Sequence, residues 1–296
     1  MIDELNVVAV IGAGTMGRGI AQAFAQAGYA TTLYDVEPDA VRRARATIEA
    51  TLEKGVARGK LEPAAKESAL ERIRIETDLG EAVIDADLVV EAVPERLELK
   101  REIFAELDAR SPERAILVSN TSSLPISLLA AETARPERVA GLHFFNPVHA
   151  MKLVEIVAPD GVSPETVGTL RSAVESLGKQ PIVVRDVPGF ATSRLGITLG
   201  LEAIRMVEDR VASAADIDTA MELGYNHPMG PLKLTDLVGL DVRLAIAEHL
   251  AREIDDRRFE PPALLREMVA DGRLGRKSGE GFYRWEDGLP IAKEAS

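Results

Sequence analysis

Three sets of polar residues between positions 119 and 155 have the chemistry to act on an alcohol. They are the hydroxyl-rich segment 119–123, His143 and Glu155, and apolar runs typical of strands separate them. A hydroxyl can position the alcohol, a histidine can remove its proton, and a carboxylate can orient that histidine. Because oxidation of the alcohol also needs a hydride acceptor, this interpretation requires a redox cofactor.

The start of the chain carries a glycine pattern typical of dinucleotide binding. A continuous apolar run, which predicts a buried parallel strand, leads directly into it. The pattern is Gly12-Ala13-Gly14-Thr15-Met16-Gly17. Gly12 permits a tight turn, Gly14 lets the backbone approach a pyrophosphate, and Gly17 allows a helix to pack closely on the strand. The whole segment, with Thr15 and Met16, is therefore a candidate cofactor-binding loop.

The elements that follow this loop are in the order that a dinucleotide-binding βαβ unit requires. A helix is predicted over 18–27, and its N-terminus presents N–H groups and partial positive charge to phosphates. A strand predicted over 30–34 ends in Asp35. We predict that Asp35 accepts hydrogen bonds from the adenosine ribose and repels a 2′-phosphate, which favours NAD over NADP.

The predicted base and its partner lie on two strand-like runs, 139–145 and 152–157. If these runs pair as a hairpin centred near His149, His143 lies directly opposite Glu155. Cross-strand partners have Cβ atoms about 4.5–5.5 Å apart, within reach of a carboxylate–imidazole hydrogen bond. Glu155 would then fix the imidazole tautomer and stabilise the imidazolium. The alternative is a structural histidine beside an exposed glutamate.

The other three histidines are weaker candidates for the base. His149 lies in the predicted turn, which favours exposure, and His227 adjoins a proline-rich loop that it is expected to brace. His249 lies in a helical stretch, where we expect it on the surface. We therefore favour His143.

Two further polar groups follow predicted strands, where the loops of a doubly wound sheet line the ligand crevice. Glu95 follows the strand 88–93, and Ser122 and Ser123 follow the strand 116–118. The alternative for the two serines is that they cap the helix that begins after them.

A basic group near the end of a helix predicted over 38–59 has two interpretations. Lys54 and Arg58 lie four residues apart on one helical face, and Lys60 follows. They form either a solvated helix end or a phosphate-binding patch on an otherwise acidic protein. Both interpretations stay open on the residues alone.

The composition restricts the remaining classes of function. The 296 residues include no cysteine, which excludes disulfides, Cys-ligated metals and a thiol nucleophile and fits the cytoplasm; we predict no bound metal. The net charge of −13 argues against nucleic acid or a membrane surface as partner. No apolar run approaches the roughly 18 residues that span a bilayer, and no basic region precedes the first apolar run, so we expect no signal peptide.

The order of the predicted elements indicates two domains. Strands alternate with helices over 1–184, and helical patterns dominate 185–296. We predict an α/β fold with a Rossmann-type, doubly wound, mostly parallel sheet, followed by an all-α C-terminal domain.

Taken together, the motifs resemble the 3-hydroxyacyl-CoA dehydrogenase family, over nearly the whole chain. The matching segments are the glycine pattern, Ser119-Asn120-Thr121-Ser122-Ser123, His143-Phe144-Phe145-Asn146-Pro147, Met151-Lys152-Leu153-Val154-Glu155, Pro188-Gly189-Phe190 and Gly275-Arg276-Lys277-Ser278-Gly279-Glu280-Gly281-Phe282-Tyr283. The chain is similar to the short, stand-alone 3-hydroxybutyryl-CoA dehydrogenase type within that family.

The resemblance implies NAD-dependent oxidation of (S)-3-hydroxyacyl-CoA to 3-oxoacyl-CoA, and the reverse, in fatty-acid β-oxidation or butanoate metabolism. It implies His143 as the base, Glu155 as its orienting partner and Ser122 as the hydroxyl near the substrate 3-oxygen. It also implies a homodimer formed through the C-terminal domain.

The resemblance implies further contacts with cofactor and substrate. Four positions correspond to NAD contacts, namely Glu95, Lys100, Asn146 and Lys277. Three positions correspond to the helix that receives the CoA portion, namely Thr51, Lys54 and Arg58.

The chain departs from the family pattern at Ser193. The family usually has an Asn there, and that Asn helps to hold the substrate carbonyl. Serine is shorter and has one donor instead of two, although a bridging water can substitute. We expect this change to affect substrate preference or rate more than the reaction. Two other functions stay open: a dehydrogenase of free hydroxy or sugar acids, and a non-catalytic NADH-binding protein of the same fold.

Overall fold

The computed structural model describes residues 5–293 and divides into two compact units. The first unit is Met1–Val187 and the second is Pro188–Ser296, so the division falls near the boundary predicted after residue 184. Every helix within residues 5–293 is too short or too polar to span a bilayer.

The first unit is built on one eight-stranded sheet. Its strands are β1 (Val7–Ile11), β2 (Ala30–Tyr34), β3 (Ile73–Glu76), β4 (Leu88–Glu91), β5 (Ile116–Ser119), β6 (Val139–Phe144), β7 (Leu153–Ala158) and β8 (Gln180–Arg185). Their order in the sheet is β3-β2-β1-β4-β5-β6-β7-β8. All neighbouring strands are parallel except β6 and β7, which are antiparallel. The first six strands thus have the order 3-2-1-4-5-6, which confirms the predicted Rossmann-type, mostly parallel sheet.

Helices connect these strands in the manner of a doubly wound fold. They are α1 (Thr15–Gln26), α2 (Pro38–Ala57), α3 (Pro63–Glu71), α4 (Leu79–Val83), α5 (Leu97–Arg110), α6 (Ile126–Ala130) and α7 (Pro164–Ser176), with a 3₁₀ turn at Pro136–Arg138. The central strands are apolar because they are buried: Val8, Val10, Val90 and Val118 have no exposed surface.

Helix α2 ends two residues before its predicted end, which changes the setting of the basic group. Gly59 has a φ of +64°, and its N–H donates to Val56 O, while the Lys60 N–H donates to Gly55 O. This pair of hydrogen bonds is a Schellman motif, which terminates a helix at a left-handed residue. Arg58 is therefore the C-cap residue of α2, and Lys60 lies beyond the helix.

The second unit is helical, as predicted. Its helices are α8 (Thr192–Glu208), α9 (Ala214–Gly224), α10 (Pro231–Val238), α11 (Leu240–Ile254) and α12 (Ala263–Ala270), with 3₁₀ turns at Arg257–Phe259 and Arg276–Ser278. It is not all-α, however, because it also contains an antiparallel pair of strands, β9 (Arg284–Glu286) and β10 (Leu289–Ile291). Asp287 and Gly288 connect them with positive φ angles of 49° and 78°, as in the Asp-Gly turns of tight hairpins.

Candidate active site

The ends of four parallel strands place most of the predicted site residues at one edge of the sheet. Glu91, the last residue of β4, pairs with Ile11 at the end of β1 and with Ser119 at the end of β5. In the next strand pair, Ser119 aligns with Gly141 of β6. The segments that follow these strands therefore meet at the carboxyl edge, where open α/β sheets bind ligands.

The three glycines of the dinucleotide pattern have different surroundings. A Cβ on Gly12 would lie 2.7 Å from Ala92 O, and one on Gly17 would lie 1.7 Å from Gly12 O, so protein packing excludes side chains at both. A Cβ on Gly14 would meet no described atom within 4 Å. Packing within the chain therefore does not account for Gly14. Open space above it, at the N-terminus of α1, fits the approach of a pyrophosphate.

Asp35 joins the end of β2 to the same loop. Its Oδ2 accepts a hydrogen bond of 2.8 Å from the Ala13 N–H, and its Oδ1 accepts one of 3.1 Å from the Glu37 N–H. A carboxylate has about four lone-pair sites, so these bonds leave capacity for ribose hydroxyls. The loop and the acid thus fit the adenosine half of NAD.

The predicted pairing of His143 with Glu155 across a hairpin is confirmed. His143 of β6 and Glu155 of β7 are directly opposite each other in the antiparallel register. His143 Nδ1 lies 2.7 Å from Glu155 Oε2, and the Glu155 side chain is fully buried. The ring of His143 also packs on that of Phe145, with 4.4 Å between the ring centroids. The imidazole is therefore held from both the strand and the adjoining turn.

Ser122 and Ser123 do not cap helix α6, so that alternative is wrong. The first N–H groups of α6, those of Ile126 and Ser127, donate instead to the Asp186 carboxylate, at 3.0 and 2.7 Å. Asp186 lies 59 residues further along than Ser127, and no local sequence signal connects the two.

Glu95 organises the hydroxyl loop, which is the hydroxyl-rich segment 119–123 at the end of β5. Glu95 Oε1 accepts hydrogen bonds from Thr121 Oγ1 at 2.5 Å, from the Ser122 N–H at 3.1 Å and from Ser122 Oγ at 3.4 Å. The Asn120 side chain ties the same loop to β6, because its Oδ1 accepts the Phe144 N–H at 2.9 Å. The loop after β5 is therefore fixed to the loop after β4 and to strand β6.

One cleft brings these groups together. It has a volume of about 370 Å³ and is lined by side chains from the glycine loop, the Glu95 loop, the hydroxyl loop and the end of β6. The predicted residues that line it are Met16, Glu95, Ser122, His143 and Asn146. The redox-cofactor loop and the proposed proton acceptor thus share one cavity.

Lys100 is in an unexpected environment for a predicted cofactor contact. Its side chain is 1% exposed, and its Nζ lies 2.7 Å from Glu91 Oε1, 3.3 Å from Val93 O and 3.3 Å from Glu95 Oε2. Glu91 is fully buried. Glu91 was not among the predicted site residues, because an acid at the end of an apolar strand does not by itself reveal which lysine packs beside it.

The basic group is not part of the cleft around His143. Lys54 and Arg58 are exposed at the end of α2. Thr51 Oγ1 donates to Thr47 O, and Thr51 and Lys60 line a separate cavity of about 430 Å³ that also includes the exposed His149. The cleft beside His143 and the cavity beside the end of α2 are therefore separate.

Two of the predicted site residues, Ser193 and Lys277, belong to the second unit. Ser193 lies in the first turn of α8. Lys277 Nζ lies 2.5 and 2.6 Å from the two carboxylate oxygens of Asp241. His249, expected on the surface, instead has its Nε2 buried with no hydrogen-bond partner in the described part of the chain.

Fold and cleft together define a Rossmann-type, NAD-dependent oxidoreductase. The family model described as "3-hydroxyacyl-CoA dehydrogenase, NAD binding domain" matches residues 7–187, and the one described as "3-hydroxyacyl-CoA dehydrogenase, C-terminal domain" matches residues 189–285. The chain belongs to the 3-hydroxyacyl-CoA dehydrogenase family, which confirms the predicted enzyme class and cofactor.

Individual relatives are similar over their full length. A probable 3-hydroxybutyryl-CoA dehydrogenase of Bacillus subtilis is 44% identical over 96% of this chain and 99% of that protein. The crystal structure of (S)-3-hydroxybutyryl-CoA dehydrogenase from Ralstonia eutropha is 41% identical, with a TM-score of 0.92 over 96% of this chain and all of that one. A diketoreductase structure, described as acting on dicarbonyl compounds, is 33% identical, with a TM-score of 0.83 over 95% and 99% of the two chains.

Proposed function

We propose that this dehydrogenase interconverts (S)-3-hydroxyacyl-CoA and 3-oxoacyl-CoA esters and accepts a short chain such as 3-hydroxybutyryl-CoA. The observation that carries the residue assignment is the 2.7 Å contact between His143 Nδ1 and the buried Glu155, at the wall of the cleft that Ser122 also lines. The short-chain assignment is supported by the relatives named above. NAD, when bound, accepts the hydride from C3 of the substrate.

His143 takes the proton in this proposal. A carboxylate can only accept, so the Glu155 contact places the proton of the neutral ring on Nδ1. Nε2 then carries the lone pair that would accept the proton of the substrate 3-hydroxyl. The imidazolium that results is stabilised by Glu155, and burial strengthens this attraction because few water molecules screen it. In the reverse direction, Nε2–H donates the proton to the ketone oxygen.

Ser122 positions the reacting oxygen. Glu95 fixes the backbone of the hydroxyl loop through the Ser122 N–H, so the Ser122 hydroxyl is held on a restrained segment. A hydroxyl that donates to the 3-oxygen lowers the cost of the charge that develops there during reduction of the ketone.

The remaining contacts follow the family positions. Gly12, Gly14 and Gly17, with Thr15 and Met16, would hold the phosphates of NAD, and Asp35 its adenosine ribose. Contacts with the rest of the cofactor are proposed for Glu95, Asn146 and Lys277. Lys100 is buried with its ammonium group against Glu91, Val93 and Glu95, so its predicted contribution to cofactor binding would be indirect, through Glu95. Thr51, Lys54 and Arg58 would receive the CoA portion, because an exposed cationic helix end suits its phosphates. Ser193 would contact the substrate carbonyl.

We also propose a homodimer formed through the second unit. Several large apolar side chains of that unit are exposed, including Leu195 at 71% and Leu223 at 82%. Exposed apolar side chains mark an association surface where they form one contiguous patch. A cytoplasmic location is proposed because a chain without cysteine suits a reducing compartment.

The direct test measures NADH oxidation with a panel of 3-oxoacyl-CoA esters of increasing chain length. Free acetoacetate and a free dicarbonyl compound serve as comparison substrates. We expect acetoacetyl-CoA to be reduced with NADH in preference to NADPH, and free acids to react poorly. Equal activity on free acetoacetate would favour a dehydrogenase of free acids, and tight NADH binding without turnover would favour a non-catalytic protein.

A further inference from the structure

Glu91, which forms a buried ion pair with Lys100 at the end of β4, has no assigned role in the proposed reaction. Glu91 is fully buried and Lys100 is 1% exposed, and their side chains are 2.7 Å apart. Burying two opposite charges often contributes little net stability, because the loss of hydration offsets much of their attraction. Stability alone is therefore a weak explanation for this pair, and its position at the catalytic edge suggests another.

The contacts of Glu91 connect three segments of that edge. Glu91 Oε1 accepts hydrogen bonds from Lys100 Nζ and from the Val93 N–H, both at 2.7 Å. Glu91 Oε2 accepts one of 2.5 Å from Ser119 Oγ. The Ser119 hydroxyl in turn accepts the Thr121 N–H at 3.2 Å. One carboxylate thus fixes the start of the loop after β4 and the start of the hydroxyl loop after β5.

Lys100 extends this arrangement to the cleft. An ammonium group has three donors, and the acceptors around Lys100 Nζ are Glu91 Oε1, Val93 O and Glu95 Oε2. Glu95 lines the cleft and holds the Ser122 backbone through its other oxygen. A continuous line of charged and polar contacts therefore runs from the buried Glu91 through Lys100 and Glu95 to Ser122.

We propose that Glu91 is a positioning residue of the dehydrogenase: it fixes Lys100 and the Ser119 hydroxyl, and through Lys100 and Glu95 it holds Ser122 and the cleft wall in the reactive arrangement. The effect on catalysis rests on the proposed role of Ser122, whereas the effect on the cleft wall concerns NADH binding alone. Misplacing a reacting group by about 1 Å can cost about a hundredfold in rate, so a buried support far from the reacting atoms can be essential.

The test compares Glu91→Gln with Asp87→Asn. Asp87 directly precedes β4 at the opposite edge of the sheet, where it accepts hydrogen bonds from the Asn6 and Val7 N–H groups, both at 3.0 Å. It is a matched control, because both changes neutralise an acid beside the same strand. A double variant, Glu91→Gln with Lys100→Met, removes the unpaired buried cation and is expected to recover the Tm lost in the single variant.

We expect Glu91→Gln to lower kcat with acetoacetyl-CoA by about 10- to 100-fold and to weaken NADH binding, measured by NADH fluorescence, by about three- to tenfold. The KM for acetoacetyl-CoA should change by less than about threefold, since CoA binds elsewhere in this proposal. Asp87→Asn should lower Tm and leave kcat and NADH affinity within about twofold. The double variant should regain Tm but neither kcat nor NADH affinity.

Two outcomes would overturn the proposal. One is a Glu91→Gln enzyme whose kcat and NADH affinity match those of Asp87→Asn. The other is a double variant that regains kcat and NADH affinity together with Tm, because Glu91 would then serve only to neutralise Lys100. If Glu91→Gln does not fold, the double variant provides the test. Low kcat and weak NADH binding in the double variant would support the proposal, and wild-type values of both would overturn it. A wild-type enzyme inactive on acetoacetyl-CoA would refute the proposed substrate, and NADH affinity would still test Glu91.

Discussion

The two ends of strand β4 carry acids of the same charge in different surroundings. At the amino end, the Asp87 side chain is 17% exposed and pairs with Arg114, which is 51% exposed. At the carboxyl end, Glu91 has no exposed surface and its cation is buried with it. Asp87 joins a strand to a surface loop, whereas Glu91 is connected through Lys100 to the cleft. In our proposal, therefore, the amino edge of the sheet serves stability and the carboxyl edge serves the reaction.

The surroundings of Asp87 have a measurable consequence for its ionisation. Burial acts to raise the pKa of its carboxyl group, but hydrogen bonds from the Asn6 and Val7 N–H groups and from Arg114 more than offset this. The pKa of Asp87 is therefore held below its usual value. The contacts at the amino edge thus favour the ionised form of Asp87, and the dependence of protein stability on pH can detect this.

The largest effect is expected at the carboxyl edge, from His143→Gln. Removal of a general base costs about 10²- to 10⁴-fold in rate, and glutamine cannot take the proton. We expect kcat with acetoacetyl-CoA to fall by that factor in a steady-state NADH assay, with NADH affinity unchanged. His149→Gln is the matched control, because His149 is exposed and lines the other cleft. Unchanged turnover in His143→Gln would remove this residue from the mechanism.

A smaller effect is expected from Lys54→Ala combined with Arg58→Ala. Each exposed cation contributes up to about 1 kcal/mol to an ionic contact, so KM for acetoacetyl-CoA should rise about three- to tenfold while kcat is retained. The difference from wild type should shrink at high salt, because salt screens exposed charges.

The control for this pair is Arg42→Ala with Arg43→Ala, which removes two cations from the other end of α2. We expect it to leave KM unchanged. Equal effects of the two double variants would indicate a general charge effect and would argue against a CoA site at the end of α2.

Ser193→Asn should have a smaller effect still, and it tests the second unit. Asparagine adds a second donor at the position where the family usually has it, so we expect kcat/KM for acetoacetyl-CoA to rise by about two- to fivefold. Thr198→Asn, one to two turns further along α8, provides a comparison. If neither rate nor chain-length selectivity changes in Ser193→Asn, Ser193 is not a substrate contact.

The smallest effect on activity is expected from Asp87→Asn, whose consequence is for stability. The folded-state pKa of Asp87 is below its unfolded value of about 3.9. Its contribution to the free energy of unfolding is therefore fully present above about pH 3.9, and it is lost as the pH falls through the folded-state pKa. Wild type should therefore be more stable by about 1–3 kcal/mol near neutral pH, and this difference should vanish in acid. Urea unfolding at a series of pH values measures it; a difference that persists unchanged in strong acid would contradict this assignment.

Much of the carboxyl edge could be predicted from the sequence because its signals are local or periodic. The glycine pattern specifies one turn and one helix start, and the two-residue period of a strand determines which face each side chain takes. The strand pairing of His143 with Glu155 follows from that period and a single assumed turn. These features depend on neighbours along the chain or on one pairing.

The supports of the edge could not be predicted, because they depend on residues distant in sequence. Helix α6 is capped by Asp186 rather than by the nearby serines. Lys100 looks like an ordinary surface lysine of a helix, and only the packing of α5 against the sheet edge buries it beside Glu91. The hairpin at Asp287 and Gly288 differs from these supports, because its Asp-Gly turn is a local signal. It could have been predicted from the sequence, and it was not.

The central claim is that Glu155 holds the proton on His143 Nδ1 and leaves Nε2 to act on the substrate. The most direct test is the ¹⁵N NMR spectrum of the enzyme labelled at its histidines, recorded at alkaline pH. The His143→Gln variant assigns the signals among the four histidines. The claim predicts a single Nδ1–H tautomer in the wild type, and a more mixed population in Glu155→Gln. An Nε2–H tautomer in the wild type would contradict it.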